Sequence, residues 1–98
     1  MTGSRTSSAD LDPRRRKILF RCWHRGMREM DLLLGGFADV ELVLLSDGEM
    51  DDLEELMEAP DRDIFRWLTG EAATPAEYAT PVFDRLRAFH RHDGPVHV

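Results

Sequence analysis

Apolar residues recur along this chain at spacings of three and four, in short segments bounded by helix caps, glycine or proline. That period puts the apolar side chains on one face of an α-helix, whereas a half-buried strand alternates every second residue. Residues 40–45 have the β-branched content of a strand, but no second segment offers a partner. Because an unpaired strand is not stable, a helix is favoured there too, and the sequence predicts an all-α fold.

The first of five predicted helices has a basic side, and the second is amphipathic. Helix one begins at Asp12, an N-cap followed by a proline at the first helical position, and runs to about Trp23. Gly26 separates it from helix two. The glycine pair at 35–36 falls inside helix two, where each glycine costs about 1 kcal/mol relative to alanine. A kink, a local break or a close helix crossing is therefore expected there.

The other three helices are marked by caps and prolines. Ser46 and Glu49 form a capping box at the start of helix three, which Pro60 stops. Helix four covers about residues 61–68, and helix five covers about residues 81–92. The apolar stripes of the five helices are predicted to consist of Ile18, Leu19, Cys22, Trp23, Met27, Met30, Leu34, Phe37, Met50, Leu53, Leu56, Met57, Ile64, Phe65, Leu68, Val82, Phe83, Leu86 and Phe89.

The chain has 98 residues, 42% of them hydrophobic, which supports a single modest core. Residues 12–98 are predicted to form one compact bundle of five short helices, and the polar residues 1–11 a disordered tail. No apolar run approaches the roughly 20 residues of a membrane span, and no secretory signal is present. The single cysteine, Cys22, fits a reducing compartment and is interpreted as an inert, half-buried side chain.

Charge is distributed unevenly around the net value of −6. Residues 1–28 carry eight basic and two acidic side chains, and residues 29–63 carry thirteen acidic side chains and one basic. This uneven charge distribution either steers a partner with matching charges or reflects two solvated helix faces that attract each other. Composition alone does not distinguish between these two interpretations. The basic run at 14–17, with Arg21, Arg25 and Arg28, leaves nucleic-acid binding as an alternative. The acidic total and the lack of a helix-turn-helix or aromatic platform count against it.

No catalytic, cofactor-binding or metal-binding residue is predicted. The chain has no nucleophile beside a base, no phosphate loop and no dinucleotide fingerprint. His90, His92 and His97 suggest a metal, but helical residues two apart point to different sides, and no cysteine or acid stands at ligand spacing. A solvated C-terminus explains these histidines better.

Residues 24–31 are unlike ordinary helix sequence. Gly26 lies between two arginines, where it lets the backbone bend and leaves room for another chain. Glu29 falls on the first turn of helix two, where the helix dipole stabilises its charge, and Arg25 offers a bidentate fork. The residues alone leave two interpretations open: a helix cap with an internal ion pair, or a recognition surface.

Residues 25–29, read as Arg-Gly-x-x-Glu and followed by Met30 and Asp31, resemble the signature of the FAD assembly factors of succinate dehydrogenase. These are the SdhE proteins of bacteria and the succinate dehydrogenase assembly factors of mitochondria. The resemblance covers about residues 14–96, and its further segments are residues 46–49, 63–68 and 94–96. It implies a five-helix, non-enzymatic protein that binds the flavoprotein subunit and promotes covalent attachment of FAD to a histidine of that subunit. In bacteria this role can extend to the fumarate reductase flavoprotein.

The resemblance also assigns the partner-binding residues. Arg25, Gly26 and Glu29 carry over directly, and Arg28 and Asp31 follow as residues inside or beside the motif. The factor is expected to hold the subunit so that flavin and histidine meet, with no FAD bound stably to itself. It is expected to be a monomer when free, in a bacterial cytoplasm. The role of Trp67, as core edge or contact residue, is left open.

Overall fold

The computed structural model describes residues 11–93, and within this range it contains helices and connecting turns but no strand. The five α-helices are α1 (Pro13–Trp23), α2 (Arg28–Glu41), α3 (Asp47–Leu56), α4 (Asp61–Thr69) and α5 (Pro81–Asp93). Single turns of 3₁₀ helix cover Leu42–Leu44 and Ala76–Tyr78. The prediction of an all-α fold with five helices is confirmed. Among the described residues, no helix is long and apolar enough to cross a membrane.

The chain divides into two compact units, Met1–Leu45 and Ser46–Val98. The first unit contains α1, α2 and the 3₁₀ turn Leu42–Leu44, and the second contains α3, α4 and α5. The prediction that residues 12–98 form one domain stays a prediction. The predicted tail lies outside the described residues except for Leu11, which is buried.

In the first unit, α1 packs along α2. Asp12 caps α1 as predicted, because its carboxylate accepts a hydrogen bond from the backbone N–H of Arg15. Helix α2 runs through the glycine pair at 35–36 without a break and passes directly into the 3₁₀ turn. Residues 40–44 are therefore helical, as predicted, although the turn from Leu42 to Leu44 is 3₁₀ rather than α; Leu45 is extended.

Arg15 connects α1 to the end of this 3₁₀ turn. Its guanidinium donates from Nε to the carbonyl of Leu42 at 3.0 Å, donates also to the carbonyl of Leu45, and pairs with Asp12 at 2.9 Å. The carbonyl of Leu42 also accepts the backbone N–H of Leu45 at 3.2 Å, so the guanidinium is a second donor there, and at Leu45 it reaches a carbonyl just past the end of the turn. Arg15 is thus part of the fold of the first unit.

The second unit begins with the predicted capping box. Glu49 N–H donates to Ser46 Oγ at 3.1 Å, and Ser46 N–H donates to Glu49 Oε1 at 2.9 Å. Helix α3 packs against α5, and Arg85 of α5 pairs with the same Glu49 at 3.1 Å. Helix α4 ends at Gly70, whose φ of +85° is the left-handed C-cap that glycine adopts without strain.

Most of the predicted apolar stripes are buried. The exceptions are half-buried side chains, a set that consists of Trp23, Met27, Phe65, Leu68 and Phe89. The expectation that Phe89 faces the core is therefore only partly met. The predicted stop of helix five at residues 94–95 lies outside the described residues.

Candidate functional site

The turn between α1 and α2 contains the residues that the sequence singled out. Gly26 has a φ of +95°, a left-handed conformation that side chains with a Cβ adopt only under strain. A Cβ built on Gly26 would meet no atom within 4 Å. Glycine is thus required by backbone conformation and not by internal crowding, and the space above it is open to another molecule.

A carboxylate one turn inside α2 closes this turn. The backbone N–H of Arg25 donates to Asp31 Oδ1 at 2.6 Å, and Asp31 N–H donates to the carbonyl of Met27 at 2.9 Å. Met27, the N-cap of α2, makes no side-chain capping bond. Asp31 therefore ties α2 to a backbone amide that precedes the helix, rather than capping an amide of α2 itself.

The five predicted partner-binding residues differ in exposure. Gly26, Arg28 and Glu29 are exposed, whereas Arg25 and Asp31 are half-buried. Arg28 and Glu29 occupy the first turn of α2, where the positive end of the helix dipole stabilises the Glu29 carboxylate. The structure places the five residues within seven consecutive positions, and three of them are exposed.

Two aromatic rings before this turn form a surface that the sequence interpretation missed. Phe20 is 62% exposed, and the ring of exposed His24 stacks on it with centroids 3.9 Å apart and planes 18° apart. His24 Nδ1 lies 2.7 Å from the carbonyl of Phe20, which can only accept, so Nδ1 carries the proton in this bond. The stacking could have been predicted from the sequence, because the two rings stand at positions i and i+4 on the polar side of α1.

Trp23 fixes the end of α1 against α2. A Cβ built on Gly35 would lie 2.3 to 2.7 Å from atoms of the Trp23 indole ring, whereas one on Gly36 would meet nothing. Trp23 Nε1 also donates to Asp39 Oδ1 at 3.3 Å, and Asp39 is only 6% exposed. A kink, a local break or a close helix crossing was predicted at the glycine pair. The close crossing is the one observed, and it involves Gly35 and not Gly36.

Cys22 lies beside this contact with no exposed surface. Burial raises the pKa of its thiol to about 12, so the thiolate needed for nucleophilic chemistry is negligible near neutral pH. The prediction of a half-buried side chain underestimated its burial. Its interpretation as inert agrees with this environment.

The basic run at 14–17 is partly used inside the first unit. Arg15 bonds to Leu42, Leu45 and Asp12, as described above, and Arg16 donates to the carbonyl of Leu11 at 3.1 Å. Nucleic-acid binding needs guanidinium groups that are free to reach the phosphates of DNA or RNA. Two of the four basic residues already donate to carbonyls within the first unit.

In the second unit, Trp67 is half-buried and stacks on Tyr78 with centroids 5.1 Å apart. Burial raises the pKa of Tyr78, and nearby glutamates raise it further. Among the described residues, no group of three His, Cys, Asp or Glu side chains could hold a metal ion. His97 lies outside the described range, and the ring of His90 packs edge-on against Phe89.

Comparison with known proteins gives a consistent result. A family model described as flavinator of succinate dehydrogenase matches residues 16–90. The FAD assembly factor SdhE of Acetobacter pasteurianus is 36% identical over 85 residues, which cover 87% of this chain and 78% of that protein. The mitochondrial succinate dehydrogenase assembly factor 2 of Dictyostelium discoideum is 34% identical over 85 residues, covering 87% of this chain and 60% of that protein. No solved structure matches the chain.

A second mitochondrial assembly factor 2, from Mycosarcoma maydis, is 40% identical over 78 residues, covering 76% of this chain and 33% of that protein. The chain thus spans less than two thirds of both mitochondrial relatives. The family match includes the whole turn between α1 and α2, and the resemblance noted in the sequence is confirmed. The chain belongs to the family of flavinators of succinate dehydrogenase.

Proposed function

We propose that this chain is an FAD assembly factor that binds the flavoprotein subunit of succinate dehydrogenase and promotes covalent attachment of its FAD. Membership of the flavinator family supports this role. The observation that carries the proposal is the open left-handed turn at Gly26, followed by exposed Arg28 and Glu29 on the first turn of α2. The partner-binding surface is assigned to this turn.

This surface suits a protein partner. The bare backbone at Gly26 lets another chain approach closely, and exposed Arg28 and Glu29 offer a donor fork and a carboxylate on the same first turn of α2. The stacked rings of Phe20 and His24 add an exposed aromatic area just before the turn in sequence. Aromatic and arginine side chains are the usual anchors of protein interfaces.

The chain acts as a chaperone and not as an enzyme in this proposal. It holds the flavoprotein subunit so that the flavin and the acceptor histidine meet, and the subunit performs the chemistry. FAD is not kept by the chain itself, which acts as a monomer in a bacterial cytoplasm. The same surface would serve the fumarate reductase flavoprotein.

The test uses purified flavoprotein subunit without covalent flavin, incubated with FAD in the presence and absence of this chain. Covalent flavin is followed by in-gel fluorescence. We expect the chain to accelerate attachment and Glu29→Gln to slow the accelerated rate by at least about tenfold, the typical effect of losing a charged hydrogen bond at an interface. Glu55→Gln, the same chemical change at an exposed position of α3, should behave as the wild type.

Two outcomes would count against the proposal. Equal rates of flavin attachment with and without the chain would remove the proposed function. Equal rates for wild type and Glu29→Gln, with acceleration retained, would keep the function but move the binding surface away from this turn. Repeating both arms with the fumarate reductase flavoprotein tests the wider partner range.

A further inference from the structure

Asp31 already uses one carboxylate oxygen in a hydrogen bond inside the chain. Its carboxylate is half-buried, and Oδ1 already accepts the backbone N–H of Arg25 at 2.6 Å. The bond joins α2 to the residue that precedes Gly26, so it closes a loop around the left-handed glycine. Resting on the proposed function, we infer that Asp31 is a positioning residue, which sets the shape of the binding turn without touching the flavoprotein subunit.

The turn needs such a restraint. Glycine populates many backbone conformations, so Gly26 permits the left-handed turn but does not select it. Met27 caps α2 without a side-chain bond, which leaves the entry to the helix weakly defined. The carboxylate of Asp31 does not replace that cap but accepts the Arg25 amide on the other side of Gly26, while its own backbone N–H bonds to the carbonyl of Met27, so both ends of the turn are tied to one residue.

The restraint acts on the residues proposed to bind. Arg28 and Glu29 lie in the first turn of α2, and Arg25 lies across Gly26 from them. Holding the Arg25 amide against Asp31 therefore fixes Arg25 relative to Glu29 before any partner arrives. A preformed turn avoids the entropic cost of ordering the loop at the moment of binding.

Positioning and contact predict different effects of one conservative change. Asparagine has the same length as aspartate and keeps an Oδ1 acceptor, but it carries no charge. If Asp31 positions the turn, Asp31→Asn retains the bond and the affinity, whereas Asp31→Ala loses both. If Asp31 instead pairs with a cation of the flavoprotein subunit, both variants lose affinity alike.

The first measurement is hydrogen exchange of the Arg25 amide in the free protein, by nuclear magnetic resonance. We expect this amide to be protected in the wild type and in Asp31→Asn, and to exchange at least about tenfold faster in Asp31→Ala. The thermal unfolding midpoint reports whether Asp31→Ala has lost the whole fold. An unprotected Arg25 amide in the wild type would overturn the inference without any variant.

The second measurement is the affinity of each variant for the purified flavoprotein subunit by isothermal titration calorimetry. Asp31→Asn should stay within about threefold of the wild type, and Asp31→Ala should bind at least about tenfold more weakly. Equal losses in the two variants would show a contact role and overturn the inference. Glu29→Gln is the control for the proposed surface: unchanged binding in that variant would remove the surface, whereas the exchange result for Arg25 would stand by itself.

Discussion

At the scale of single residues, burial decides the chemistry of Cys22. Its side chain has no exposed surface, and its pKa is raised to about 12. We expect a thiol reagent such as 5,5′-dithiobis(2-nitrobenzoic acid) to leave the native protein unmodified at pH 8 and to react fully after denaturation. The burial of Cys22 would be contradicted if the native protein reacted at the rate of a free thiol under conditions in which it stays folded.

Residues differ in how far sequence could assign them. Gly26 was predictable because a glycine between arginines at a helix junction is itself the signal of a special backbone conformation. Asp31 was predicted as a binding residue, and its acceptor role became visible only with the three-dimensional turn. The stacking of Phe20 and His24 was missed because both lie on the polar side of α1, where periodicity assigns no structural role. Which of these residues touch the partner stays a prediction.

At the scale of helices, the two adjacent glycines of α2 are expected to respond in opposite ways to substitution by alanine. Gly36→Ala should raise the free energy of unfolding by up to about 1 kcal/mol, because alanine is the better helix former and its Cβ meets nothing. Gly35→Ala should lower it by about 1 to 3 kcal/mol, because its Cβ overlaps the Trp23 ring that is bonded to Asp39. Urea denaturation of both variants measures the difference. The same sign for both would contradict the close crossing.

The capping box of α3 gives a pH-dependent prediction. The backbone N–H of Ser46, and then Arg85, hold the pKa of Glu49 below its ordinary value of 4.5. A carboxylate with a lowered folded pKa stabilises the fold above its unfolded pKa, and this stabilisation is lost as pH falls through the folded pKa. We therefore expect the free energy of unfolding to decrease below about pH 4.5.

Glu49→Gln isolates this contribution, because it can still accept from Ser46 N–H but cannot titrate. Its unfolding free energy, measured by urea denaturation at a series of pH values, should fall less steeply below pH 4.5 than that of the wild type. The pKa of Asp12 is lowered by its hydrogen bond from Arg15, so Asp12 contributes to the pH dependence with the same sign. The unfolding free energy of the single variant Asp12→Asn should therefore also fall less steeply at acidic pH than that of the wild type. Parallel profiles for all three proteins would refute this assignment.

The bounds of α1, α4 and α5 were predicted closely, whereas the end of α3 was not. The starts at Pro13, Asp47 and Pro81 agree with the local caps, since a cap is written in three or four adjacent residues. The end of α3 at Leu56 comes before Pro60, and the change to 3₁₀ helix after Glu41 accompanies the bonds that Arg15 makes to Leu42 and Leu45. Contacts between residues distant in sequence leave no local pattern, so the change to 3₁₀ helix could not be predicted, whereas α3 ends in local turns in which Glu58 and Ala59 donate to the carbonyls three residues before them.

At the scale of the whole molecule, the uneven charge distribution suggests nucleic-acid binding as a competing function that can be tested. Nucleic-acid binding through α1 requires basic side chains free to neutralise phosphates, and its affinity falls steeply with salt. Arg15 and Arg16 bond to backbone carbonyls of the first unit, and the chain as a whole carries a net charge of −6. Both observations weaken that alternative relative to a protein partner.

We therefore expect no saturable binding of a fluorescently labelled DNA duplex or single-stranded RNA in anisotropy titrations at low salt, where phosphate contacts are strongest. The flavoprotein subunit, titrated under the same conditions, should bind, because its recognition is assigned to Gly26, Arg28 and Glu29. Saturable nucleic-acid binding that weakens with salt and is abolished by Lys17→Gln would restore the alternative. Since Lys17 is exposed on α1, away from the carbonyl bonds of Arg15, its substitution tests the basic surface without disturbing the fold.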